Sequence, residues 1–147
     1  MTKGDGFASK ADLVLVKAGV GISIVECKLK TNGGAKHGCL EQVLMYGEMA
    51  ECLREKGELA HRLETSKAGE GCKETPVEVI DSVITGLTRA SIRHVVVFDT
   101  WGKESLPNTV GRTVRLINRA LTAVGVPGIG IFARDDSKFH RVDVERT

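Results

Sequence analysis

No apolar run in the 147 residues of this chain approaches the length needed to span a bilayer. The opening residues, Met1 to Gly6, are polar and lack the apolar core of a secretory signal. Both absences predict a protein without a membrane partner. Aromatic residues make up only 4%, which argues against a surface built to stack single-stranded bases. The four cysteines, at positions 27, 39, 52 and 72, show neither CxxC spacing nor a histidine neighbour in a zinc pattern. They read as free, reduced thiols, which places the expected location inside the cell, in the cytoplasm. An excess of one charge is also missing: the formal net charge is +2, a weak overall field that neither selects nor excludes nucleic acid. Gly33-Gly34 is followed by Ala35-Lys36 and does not complete a phosphate loop, and no Ser/His/Asp arrangement is visible. A small-molecule α/β enzyme therefore finds no support.

What is present has the size and balance of one domain, residues 1–147, with 41% hydrophobic and 27% charged residues. Residues 1–10 read as a loose lead-in. Residues 12–16 and 22–30 are rich in β-branched side chains and predict two strands joined by a turn around Gly19 and Gly21. Apolar residues on both faces of both strands predict a sheet covered on both sides. A helix is expected from about residue 35 or 37 to about residue 56, with Leu40, Val43, Leu44 and Gly47 as its apolar stripe. A shorter helical stretch follows over 58–64, then a polar, mobile loop over 66–74. Thr75-Pro76-Val77-Glu78 fits a capping box that opens another helix. Residues 94–99 read as a buried strand. A last helix should begin near Ser105 or Asn108 and stop at Gly125 to Pro127, and strands are expected over 128–132 and 139–144. The order β-β-α-(α)-α-β-α-β-β predicts an α/β fold, a mixed central sheet flanked by helices.

One group of residues carries chemistry. With the turn centred on Gly19, Asp12 falls opposite Glu26, Val14 opposite Ile24, and Val16 opposite Ile22. Lys28 shares the face of Glu26 through the period of two. Cys27 points away, leaving its carbonyl between the two functional side chains. Two carboxylates this close repel when ionised, and a divalent cation relieves the repulsion. Such a cation polarises a phosphoryl oxygen and generates hydroxide near neutral pH. Lys28 could orient the attacking water or stabilise developing negative charge. On the following helix Gln42 and Tyr46 lie four apart, on one face at the inward edge. Gln42 suits a water or a phosphate, and the Tyr46 hydroxyl can donate to a phosphate oxygen.

An acid, a hairpin, Glu-x-Lys and then a helix with Gln-x-x-x-Tyr resembles the PD-(D/E)XK nuclease superfamily, and its RecB-like branch in particular. The resemblance covers about residues 11–50. It implies a restriction-endonuclease-like fold in which Asp12 and Glu26 are metal ligands, with the Cys27 carbonyl a third. Lys28 would be the catalytic lysine, and Gln42 and Tyr46 would position water, substrate or lysine. The implied cofactor is Mg2+, with Mn2+ able to substitute. The implied partner is nucleic acid, DNA in the first instance, and a homodimer or a larger complex stays open. The chain departs from the pattern in having Ala11 where proline is common. It also has only eleven residues before Asp12, where an acid-bearing helix usually stands. The expected function is therefore a metal-dependent deoxyribonuclease. The alternative is an inactive or partner-completed nucleic-acid-binding or assembly module of the same fold.

Further basic residues are candidates for nucleic-acid contact. Arg112, Arg115 and Arg119 fall at i, i+3 and i+7 of the last helix, and Lys30, Lys36 and His37 follow the Glu-x-Lys strand. Solvated surface explains each of these sets as well. His94 reads as a structural residue of a buried strand, Trp101 as a core or rim aromatic, and Asp135 and Asp136 as turn residues.

Overall fold

The structure is a computed structural model and describes residues 11–28, 35–65, 76–98, 108–135 and 137–144. Two strands, β1 (Leu13–Lys17) and β2 (Gly21–Lys28), form an antiparallel hairpin. Three helices follow: α1 (Ala35–Glu55), α2 (Leu59–Thr65) and α3 (Val77–Thr85). After a 3-10 turn at Arg89–Ser91 come β3 (Ile92–Phe98), α4 (Asn108–Ala123), β4 (Gly130–Asp135) and β5 (Lys138–Arg141). The sheet order is β1-β2-β3-β4-β5, with β2, β3 and β4 parallel and both edge strands antiparallel to their neighbours. The element order and the mixed sheet are those expected from the sequence.

The hairpin register follows from its turn. Gly19 has φ 71° and Gly21 φ 126°, conformations that a side chain disfavours. Gly21 is doubly constrained, because a Cβ there would overlap the Ser91 carbonyl oxygen at the foot of β3. The pairs Val14↔Ile24 and Val16↔Ile22 form as predicted.

Both parallel crossovers step across the sheet in the same direction, from β2 to β3 and from β3 to β4. Right-handed crossovers that step the same way place their helices on the same face. The burial pattern agrees: Ile22, Ile24, Ile92, Val96, Phe98 and Ile131 join Leu40, Val43, Tyr46, Ile80, Val83, Val110 and Val114 in one cluster. α1 lies over β2 and β3, and α3 over β1. Among the described residues no helix covers the opposite face, so the expectation of a sheet sheathed on both sides is corrected. Apolar side chains on that face are present, but the described helices do not reach them.

Smaller differences have local causes. The N-cap position of α3 is Pro76, not Thr75, and no side chain caps it; Thr75 lies outside the described residues. β4 begins at Gly130 rather than at position 128, because Ile129 is bonded to a side chain of α4. β5 ends at Arg141, short of the predicted 144, and the Asp135↔Lys138 pair closes its hairpin. The lead-in 1–10, the loop 66–74, Lys30, Asp99, Trp101 and Asp136 lie outside the described residues, as do the side chains of Lys36 and His37.

Candidate active site

The hairpin holds the candidate residues at the end where β2 runs out. One step beyond Leu13↔Val25, the register sets Asp12 opposite Glu26. Asp12 is exposed, and its Oδ2 accepts a hydrogen bond from the Cys27 amide at 2.7 Å, which pins the acid across the hairpin. Glu26 points into the helical layer and is only 3% exposed. Lys28, two residues on, shares that face, and its Nζ lies 2.5 Å from Glu26 Oε1. The Lys28 side chain is 17% exposed, so the pair spans the boundary between core and solvent.

Two atoms describe the electrostatics. Glu26 Oε2 is buried and has no hydrogen-bond partner, an arrangement that costs free energy unless something else satisfies it. Burial alone would lower the Lys28 ammonium, but the hydrogen bond and charge of Glu26, with Asp12 adding to them, outweigh it and raise the group above its ordinary value. Lys28 is thus a firm cation at neutral pH and a poor proton acceptor. The Cys27 thiol is also raised, first by burial and then by Asp12 and Glu26, with Lys28 opposing. Its side chain points to the open face of the sheet, as predicted.

α1 brings Tyr46, 5% exposed, into the core, with Gln42 half-buried one turn before it. Cys39 was not foreseen. It is fully buried, and its thiol is raised by burial, while the charges of Lys28 and Glu26 pull it in opposite directions. It therefore lies within electrostatic reach of the pair. The signal was available: Cys39, Gln42 and Tyr46 fall at i, i+3 and i+7, one face of the helix. The described cysteines form no disulfide, in keeping with free thiols.

The other candidates fall elsewhere. Arg112, Arg115 and Arg119 do come together, around a shallow hollow of about 440 Å³ that also takes in Leu116. Arg115 Nη1 donates to the Val144 carbonyl at 3.1 Å, which ties this stripe to the segment after β5. His94 is a core residue, 5% exposed and packed against α1 at Gly47.

Among the described residues no three His, Cys, Asp or Glu side chains converge as a metal cage, and no helix is long and apolar enough to cross a membrane. Comparison of the chain with protein-family models, with curated proteins and with solved structures returns no match.

Proposed function

We propose that this chain is a metal-dependent nuclease that hydrolyses DNA phosphodiesters at the Asp12, Glu26 and Lys28 cluster of a restriction-endonuclease-like core. The observation that carries the reading is the buried, unpartnered Oε2 of Glu26 on the strand facing Asp12. Two carboxylates and the Cys27 carbonyl suit Mg2+ or Mn2+, because magnesium usually keeps several waters and takes one or two protein carboxylates. When bound there, such a cation would polarise a phosphoryl oxygen and acidify a coordinated water. The protein's own share is positioning and charge. The Cys27 amide holds Asp12 in place, Glu26 orients the Lys28 ammonium, and that ammonium stabilises negative charge developing on the phosphate. Gln42 would orient a water or a phosphate oxygen, and Tyr46 would support the α1 face that carries it.

The test is incubation of the purified protein with linear and with circular DNA, in Mg2+, in Mn2+ and in chelator, beside a Glu26→Ala control whose fold is verified by circular dichroism. Metal-dependent cutting that is lost in the control supports the reading. A second reading, a nucleic-acid-binding or assembly module that a partner completes, is favoured by the sheet face that no described helix covers and by the lack of a third convergent acid among the described residues. Absence of cutting by folded protein in every metal favours it over the first.

A further inference from the structure

The face of the sheet that no described helix covers is a trough, and the register explains its shape. Leu15, Ser23 and Arg93 lie in one row across the strands; Leu13, Val25, Val95 and Gly130 lie in the next; Cys27, Val97, Phe132 and Arg141 lie in a third. Ser23 leaves the floor low on β2 and the Phe132 ring leans over Gly130 on β4, while Leu13 and Leu15 of β1 and Phe139 of β5 stand at the two edges. The hollow measures about 700 Å³. Its walls are wet: Leu13 is 47%, Leu15 50% and Phe139 63% exposed. The central strands β2, β3 and β4 run parallel, and parallel strands are usually covered on both faces; contiguous exposed apolar surface of this kind marks an interaction site.

Charge selects the occupant. Among the described residues no acidic side chain lines the trough, whereas Arg93 stands at one end and Arg141 at the other. The two arginines are two strands and four residues apart, roughly 16 Å by strand geometry, a span that about eleven residues of helix cover. A second copy packed face to face would bring four arginines and no carboxylate into one interface. A phosphate backbone would pair with the arginines and leave Leu13, Leu15 and Phe139 in water. We propose that the trough is the docking site for an amphipathic helix of a partner protein, a helix whose apolar stripe fills the floor and whose acidic flanks meet Arg93 and Arg141. The Cys27 side chain lies in the trough while its amide holds Asp12, so the docked helix would touch the back of the strand that carries Glu26 and Lys28.

The test uses the full chain and a labelled synthetic helix of about 18 residues with leucine on one face and glutamate on the flanks, followed by fluorescence anisotropy. A twin peptide carries lysine in place of glutamate. The glutamate peptide is expected to bind about tenfold more tightly than its twin. The pair Arg93→Glu and Arg141→Glu should reverse that order. Leu15→Ser and Phe139→Ser, both at exposed positions, should each weaken binding about tenfold with unchanged circular dichroism. Failure of both peptides to bind overturns the proposal, as does a preference that Arg93→Glu and Arg141→Glu leave unmoved. Concentration-dependent self-association abolished by Leu15→Ser would assign the face to a second copy instead and would equally overturn it. None of these readouts depends on cleavage.

Discussion

The imidazole of His94 occupies the space that a side chain at position 47 would fill: a Cβ on Gly47 would overlap His94 Nε2. This contact sets how closely α1 approaches β3, over the strand next to the candidate site. Gly47→Ala gains about 1 kcal/mol of helix propensity, but it forces the ring or the helix to move, an overpacking loss of about 1–3 kcal/mol. The net expectation is a destabilised protein in urea unfolding. Gly47→Ala combined with His94→Ala should be more stable than the sum of the single effects by about 1 kcal/mol or more. Strict additivity would show that the two residues do not compete for one space.

His94 also gives a pH dependence of definite sign. Burial pushes its imidazole below the ordinary value, with the Glu48 carboxylate pulling the other way. Its buried Nδ1 has no hydrogen-bond partner. The unfolded chain therefore takes up the proton first, near pH 6.5. The stabilisation is complete above that value and declines as the pH falls from it toward the lower folded value. Urea midpoints at pH 7.5 and 5.5 should differ in the parent and differ less in His94→Gln. An equal pH response in the two proteins would assign the acid sensitivity to other groups.

Lys28→Ala tests the cluster itself. It removes the one hydrogen bond seen on the Glu26 carboxylate among the described residues and leaves a buried carboxylate without its cation. The expected loss is about 2 kcal/mol, the range for a hydrogen bond to a charged group. If the cluster cleaves DNA, the rate should fall by about a hundredfold or more, as when a single charge-stabilising donor is removed. The raised ammonium keeps its charge below the ordinary lysine value, so its stabilisation persists there and is lost only as the pH rises through the folded value. Parent-like cleavage by a folded Lys28→Ala would remove the lysine from the mechanism.

Those tests draw on parts of the fold that the sequence revealed unequally. The hairpin was legible because Gly19 and Gly21 fix a short turn and a period of two then sets every pair, down to Val14↔Ile24. The order of elements was legible from the glycine breaks and the change of period between strands and helices. The face that no described helix covers was not, because a set such as Leu13, Leu15 and Val25 reads alike whether a helix covers it or leaves it open. Nor was the Gly47–His94 contact, which joins residues 47 apart in sequence through a meeting of α1 and β3 that no local pattern encodes. Cys39 was passed over because burial, not spacing to a histidine or another cysteine, brings it near Lys28.

Asn118 offers the last test, because one amide completes the pairing of a strand. Its Oδ1 accepts from the Ile129 amide at 2.7 Å, and its Nδ2 donates to the Ile129 carbonyl at 3.3 Å, one residue before β4 first pairs with β3. Ile129 is 3% exposed, so its backbone groups have little access to water. Gly128 keeps the path open, since a Cβ there would come within 2.7 Å of Asn118 Cγ. Asn118→Ala leaves a donor and an acceptor unpaired and should cost about 2–3 kcal/mol. It should also speed hydrogen exchange at the Ile129 amide more than at Phe132, which lies within the strand ladder. Asn118→Asp keeps the acceptor but sets a carboxylate against the Ile129 carbonyl, so it should recover only part of the loss. A change within about 0.5 kcal/mol in Asn118→Ala, the size of an ordinary surface substitution, would mean that β4 does not depend on α4 for its start.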